Sequence, residues 1–254
     1  PSGGSYKTNY YNGNYTFGGT LTTGTSFIVP VTVQSDWNTI YKNNQQLTMW
    51  PWSDLVSLIH RFCADAIRIN GSVLELGCGV GPNIPLINSL GMNYYGIEGS
   101  KNVVSKLHNR FPTLDQHVKV GDFTNKSCFT NIPKVDVIID RASVTHNNEL
   151  SIRETLKNCN EALNPGGHFI GIDWFSTKHS DYLLGNDGDD IYTRENFNRG
   201  QFQNVGNVHF SDELHLRSLF YSFDIISLDE KVINIFEPNN NHQFASWNIV
   251  AKKK

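Results

Sequence analysis

Apolar positions in "SDLVSLIHRF" fall at Leu55, Leu58, Ile59 and Phe62, the i, i+3, i+4, i+7 spacing of one helix face, with Ser53 as the expected N-cap. From residue 72 the period changes. Short apolar runs, "SVLELG", "NYYGIE", "HVKVGD", "VDVIID" and "HFIGID", alternate with helix-like stretches such as "NVVSKLHNRF" and "SIRETLKNCNEAL". Strand runs apolar enough to be buried on both faces, interleaved with helices, predict a parallel sheet covered by helices. "NPGG" at 164–167 predicts the stop of the last of these helices. The pattern then lapses: residues 175–210 are polar, rich in Asn and Asp, and dotted with Tyr and Phe. Periodicity returns in "SDELHLRSLFYS", a capped helix, and in "FDIISLDEKVINIF" and "SWNIVAKK", which alternate like an antiparallel pair. The predicted fold is α/β, doubly wound, with a mostly parallel seven-stranded sheet that ends in a C-terminal antiparallel hairpin.

Domain organisation follows from the same pattern. Residues 50–254 read as one α/β domain carrying an inserted, lid-like segment at 175–210. Residues 1–49 read as a polar arm or short strands, with "TFGGTLTTGTSFIVPVTV" equally suited to an ordered hairpin or a loose arm. The chain starts at Pro1, which suggests a trimmed or replaced natural start.

Charge narrows the partners. A net charge of -3, from interspersed residues and with no basic stripe, argues against nucleic acid as the main partner. Cys63, Cys78, Cys128 and Cys159 form no C-x-x-C pair, so they read as reduced, mostly buried thiols in a cytoplasmic protein. No apolar run is long enough for a bilayer, so no membrane role is expected. "NDGDD" lacks the ligand spacing of a calcium loop, and no metal is expected. A homodimer is left open.

The chemistry begins in "VLELGCGVGPN", where Gly77, Gly79 and Gly81 follow a strand in a G-x-G-x-G spacing, one register away from a dinucleotide fingerprint. Glu98, about twenty residues later at the next strand end, can accept both hydroxyls of a ribose and suits NAD or an adenosyl cofactor alike. Asp122 and Phe123, in "KVGDF", can accept an adenine amino group and stack on the ring. Each also has a plain structural use: Glu98 and Asp122 could cap the helices that follow them, and Phe123 could be core. Taken in order on successive strands they favour an adenosine lying across the carboxyl edge of the sheet.

With those residues in place, the sequence resembles the class I S-adenosylmethionine-dependent methyltransferases, whose Rossmann-like fold it would share. "VLELGCGVG", "YYGIEGS", "VGDF", "VDVIIDRASVTH" and "ALNPGGHFIGID" match their successive motifs over roughly residues 50–174. The resemblance implies S-adenosyl-L-methionine as cofactor. It places Gly77, Gly79 and Gly81 against the methionine and ribose portions, Glu98 and the adjoining Gly99 at the ribose, Asp122 and Phe123 at the adenine, and Asp140 facing the cofactor's amino group and the acceptor. Asn83 becomes a polar contact at the following helix start. "TMWPWSDLV" looks like the aromatic helix that some members fold over the cofactor, so Trp50 or Trp52 is expected to touch it; a hydrophobic staple serves equally well.

Methyl transfer needs an acceptor nucleophile aligned with the sulfonium and shielded from water, and a hydroxyl acceptor also needs a base. His146, just past the fourth strand, is the first candidate for that base, against the plainer reading of a surface cap for the helix near Glu149. Asp140, Asp173 and His179 are reserves. Arg141 is either an anion clamp or a structural partner of Asp140. Asp187, Asp189, Asp190, Tyr192, Arg194 and Arg199 of the insertion read as acceptor-specificity residues or as ordinary solvated loop. The expectation is an O-methyltransferase acting on a small polar acceptor. A nicotinamide-dependent oxidoreductase and a non-catalytic cofactor-binding protein are the alternatives.

Overall fold

The computed structural model describes residues 50–238 and 242–254 in full, and residues 6–10 and 13–17 by their backbone. The latter form β1 (Tyr6–Tyr10) and β2 (Gly13–Phe17), an antiparallel pair. Most of the segment 16–33, read as an ordered hairpin or a loose arm, lies outside the described residues.

The amphipathic helix α1 (Ser53–Phe62) buries Leu55, Leu58 and Ile59 as its spacing requires. Ser53 is its first helical residue rather than its cap; Trp52 holds the cap position without a side-chain bond. After α2 (Ala64–Arg68), the strands β3 (Ser72–Leu76), β4 (Asn93–Glu98), β5 (Val118–Val120), β6 (Val135–Arg141) and β7 (Leu163–Phe175) pair in parallel. They are linked by α3 (Ile84–Ser89), α4 (Lys101–Arg110) and α5 (Glu149–Ala162). The last helix stops one residue before "NPGG", and those four residues already belong to β7, where Gly166 takes φ +75°. Asn164 there spends its amide on Asp136 across the β6–β7 pair.

Beyond α6 (Glu213–Leu219), β11 (Phe223–Ile235) and β12 (His242–Lys253) form the antiparallel hairpin, with β12 antiparallel to β7. The sheet order is β11-β12-β7-β6-β3-β4-β5. The chain leaves β3 outward through β4 and β5, then returns to β6 on the other side of β3. The order of strand addition therefore reverses between β3 and β6, the point where open α/β sheets bind ligands at the carboxyl edge.

Alternate residues feed two cores. Val73, Val137 and Ile139 pack with Leu55, Ile59, Ile84 and Leu107 on one face, whereas Leu74, Ile138 and Phe169 pack with Ile152, Leu156, Trp174 and Phe220 on the other. A third cluster belongs to the insertion. Phe197, Phe202, Val208 and Phe210 pack on Ala142 and Phe175, and the short strands β8 (Asn186–Asp187), β9 (Thr193–Glu195) and β10 (Val208–His209) join as a small antiparallel sheet. Residues that read as a polar loop thus have an aromatic core of their own. Among the described residues, no helix is long and apolar enough to cross a membrane.

Candidate active site

The turn after β3 is built by left-handed glycines. Gly77 has φ +61°, and a Cβ there would meet the Ser143 hydroxyl at 2.2 Å; Gly81 has φ +78°, and its Cβ would strike Ile84 at 2.4 Å. The space these two glycines open is filled by the protein. Their absent side chains let the turn pack against the loop after β6 and against α3.

Under this turn lie three buried carboxylates from three strand ends: Glu75, Glu98 and Asp140. Glu98 accepts the Gly79 amide at 2.9 Å and the Ser100 amide at 2.8 Å, so it pins the glycine turn to the start of α4. The cap of that helix is Ser100, whose side chain accepts from Val103. Burial pushes the Glu98 carboxyl up, against the amides of Ser100, Gly79 and Gly99, which favour its ionised form. Asn83 donates to Glu75 at 2.8 Å and accepts the Trp52 amide, joining the carboxylate to the segment before α1. Tyr94 donates to the other Glu75 oxygen at 2.7 Å. Burial raises Glu75 to about 7, opposed by Tyr94 and Asn83 and reinforced by Asp140 and Glu98.

Asp140 is fully buried, and both its oxygens are engaged. One accepts the Ser143 and Val144 amides at 3.1 Å each, the other the Trp174 indole at 2.7 Å. Burial raises it to about 7 despite those bonds and the neighbouring Arg141. The structure therefore gives Asp140 the work of organising the loop after β6, rather than presenting an open carboxylate.

Asp122 and Phe123 follow β5. One Asp122 oxygen closes a turn on the Thr124 amide and hydroxyl, at 2.9 and 2.8 Å; the other is buried with no hydrogen-bond partner. Phe123 lies 3.8 Å from the position of a Cβ on Gly77 and packs partly on the core of Leu74 and Ile97. An acceptor with no protein donor, beside an aromatic ring, fits an adenine amino group, and the carboxylate cluster suits a cationic sulfonium and ammonium better than it suits a pyrophosphate.

On the other side of β3, Trp50 is 78% exposed while Trp52 turns inward, with the Arg141 guanidinium 3.7 Å over its ring. Arg141 pairs with Asp173 at 3.2 Å, not with Asp140, and its Nε is buried without a partner. Asp173 also takes Lys231 at 2.6 Å and Ser246 at 3.1 Å, and Lys231 reaches back to Asp54 of α1. Ala142 and Asp173, both at φ +55°, put strained backbone at these two strand ends.

His146 sits in a short turn past β6 and faces the insertion. Its Nδ1 lies 3.1 Å from the Asn207 carbonyl, which can only accept, so the proton is on Nδ1 and Nε2 is the acceptor side of the ring. Burial holds it down to about 4, opposed by that carbonyl and aided by the Arg141 charge, so it is neutral at neutral pH. It does not cap α5. Asn148 does, accepting from Ser151 at 3.0 Å, with Asp190 taking the Glu149 amide at 2.8 Å.

The acidic residues of the insertion are largely structural. Asp187 pairs with Arg194, Asp189 accepts from Asn148, and Asp190 also collects the Tyr192 and Thr193 amides. Arg199 lines a separate surface pocket with Leu183 and Leu184. His179, Asp181 and His242 bring possible ligand atoms within 4.8 Å of one another. The Asp181 amide takes the His179 Nδ1 lone pair at 3.0 Å and the Gln201 amide holds one Asp181 oxygen at 2.8 Å, which leaves His179 Nε2, buried without a hydrogen-bond partner, and the other Asp181 oxygen, 3.7 Å from His242 Nδ1.

Sequence reasoning missed Glu75, Lys231 and Asn207. Glu75 left a signal, an acid inside an otherwise apolar buried strand. Lys231 and Asn207 left none, because a long-range ion pair and a backbone carbonyl have no local pattern.

The family described as "Methyltransferase domain" matches residues 44–224. No curated protein matches the sequence. Among solved structures, a SAM-dependent methyltransferase from Methanosarcina mazei superposes with TM-score 0.60 at 17% identity, covering 82% of this chain and 99% of that one. One from Anabaena variabilis gives 0.62 at 13% identity, over 86% and 92%. The magnesium protoporphyrin IX methyltransferase of Synechocystis, solved with bound SAM, gives 0.51 at 13% identity, over 79% and 78%. At such identities the likeness speaks for the fold.

Proposed function

The chain belongs to the class I S-adenosylmethionine-dependent methyltransferases, and from that premise we propose that it methylates an oxygen of a small polar acceptor. The observation that carries this reading is His146: a neutral, buried imidazole in the turn past β6, with its Nδ1 proton held by the Asn207 carbonyl. When bound, the cofactor supplies an electrophilic methyl on a sulfonium, so the protein's task is alignment and proton removal. Glu98 and Asp122 hold the adenosine, while the carboxylates beneath the glycine turn favour its positive end. Trp52 and Arg141, tied through Asp173 and Lys231 to α1, wall the space between cofactor and acceptor. His146 Nε2 takes the acceptor's hydroxyl proton as the oxygen–methyl bond forms and the sulfur–methyl bond breaks. The aromatic core of the insertion keeps water out.

The absence of a basic stripe supports a small molecule over nucleic acid. The test is an acceptor panel of hydroxyl, amine and thiol compounds, read by S-adenosylhomocysteine release. With the acceptor so found, His146→Ala is expected to lower kcat by about 10²–10⁴-fold with cofactor affinity unchanged. Transfer confined to amines or thiols, or a full rate in the variant, overturns O-methylation through this base.

A further inference from the structure

Where the insertion leaves β7, three side chains with ligand atoms meet that the chemistry above does not use. His179 caps the short helical turn Ser180–Leu183, Asp181 lies within that turn, and His242 opens β12. Each offers one ligand atom, and these atoms lie within 4.8 Å of one another. His179 and Asp181 are buried, whereas the His242 side chain is 19% exposed and gives the cluster a solvent-facing side. One Asp181 oxygen accepts the Gln201 amide; the other faces His242 Nδ1 at 3.7 Å, too far for a hydrogen bond. Gly200 makes room for this carboxylate: its φ is +86°, and a Cβ there would lie 2.4 Å from Asp181 Oδ2. His179 Nδ1 accepts the Asp181 amide, so the neutral ring carries its proton on Nε2, buried and without an acceptor. A buried donor left unmade is costly, and here it stands beside a buried carboxylate and a second imidazole.

Two imidazoles and one carboxylate are the donor set of divalent transition metals, whereas magnesium and calcium take oxygen ligands. Burial holds His179 down to about 4, opposed by the Asp181 charge and the Gln201 side chain and aided by His242, so the ring is in the neutral form that ligates. We propose that His179, Asp181 and His242 bind one divalent transition-metal ion of the zinc class, which ties the insertion to the C-terminal hairpin. Ligands at 2.0–2.1 Å from such an ion stand about 3.4 Å apart in a tetrahedron, so the cluster draws in around it. The His179 lone pair passes from the Asp181 amide to the ion. With Nε2 ligating, its proton moves to Nδ1, the turn shifts off that nitrogen, and no proton is lost. Water from the His242 side completes the coordination. The same two segments are already joined once, by the Gln243 amide on Ser180 at 2.7 Å. Phe175, Phe202, Phe210 and Phe244 surround the His179 ring, which places the ion against the aromatic core of the insertion. The site does not depend on the role of His146.

The experiment uses the full chain, stripped of metal by a chelator, with zinc and cobalt(II) as probes. Zinc is expected to bind at one ion per chain by calorimetry, to raise the unfolding temperature, and to slow amide exchange over 176–183 and 242–246. Cobalt(II) should develop the visible absorption of a four- or five-coordinate site, and zinc should displace it. His242→Ala and Asp181→Asn each remove a ligand and should weaken zinc by at least about 100-fold, beyond the about 10–100-fold that a supporting contact carries. S-adenosylhomocysteine binding shows that a variant is folded, and either variant suffices if the other fails that check. Failure of the native chain to bind zinc overturns the proposal. So does an affinity unchanged in a folded variant, which would put the ion on other histidines of the surface.

Discussion

The two halves of the carboxyl edge are held together in different ways. At the ends of β4, β5 and β6 carboxylates gather backbone amides: Gly79 and Ser100 on Glu98, Thr124 on Asp122, and Ser143 and Val144 on Asp140. Around the insertion and the C-terminal hairpin the contacts run between side chains. Phe175 packs on Phe202 and Phe210, His209 meets His215, and Lys231 joins Asp54 to Asp173. A turn whose amides are held by a buried carboxylate accepts few substitutions. A cluster of side chains from distant segments can be repacked, which is the property a variable acceptor site needs.

The largest expected effect comes from the second half. Phe210→Ala removes a fully buried ring from the centre of the insertion and should cost about 3–5 kcal/mol of local stability, seen as lost hydrogen-exchange protection over 175–210. S-adenosylhomocysteine affinity by calorimetry should hold within about twofold, an interval well inside one hydrogen bond. A parallel collapse of cofactor binding would show the halves to be one unit. Gly77→Ala attacks the first half. Its Cβ meets Ser143 and its φ is +61°, so about 2–4 kcal/mol should be lost on thermal unfolding, with cofactor binding lost alongside. Adding Ser143→Gly should return part of that loss and none of the backbone term.

The smallest effect is electrostatic. Glu75 and Asp140 are held up to about 7, so both are largely protonated at pH 6 and ionised at pH 8. Negative charge beneath the glycine turn should favour the sulfonium of S-adenosylmethionine over the neutral sulfur of S-adenosylhomocysteine. The ratio of their affinities should therefore move toward the sulfonium as pH rises from 6 to 8, by about threefold to tenfold, or about 0.7–1.4 kcal/mol. A flat ratio would mean that the charge cluster does not reach the sulfur.

Much of the first half was legible in the residues. Gly77, Glu98 and Asp122 stand at strand ends that the apolar runs mark, and strand ends in this topology converge on one edge. Asp140 shows where legibility stops: its position at the edge could be read, but the Trp174 indole and the two amides that occupy its oxygens could not. The tryptophans make the same point. Trp50 and Trp52 are indistinguishable in "MWPW", and only the Arg141 guanidinium over one ring separates them.

The sequence by itself determined the α/β order, the glycine turn, the run of acids at successive strands and, through them, the family and its cofactor. These depend on periodicity and on neighbours within a few residues, and backbone hydrogen bonding enforces them locally. The tertiary structure alone decided that residues 175–210 have an aromatic core, that Asn207 faces His146, and that Lys231 reaches Asp54 across the fold. Such contacts join segments far apart in the chain, and their partners are chosen by packing and burial rather than by any spacing along it.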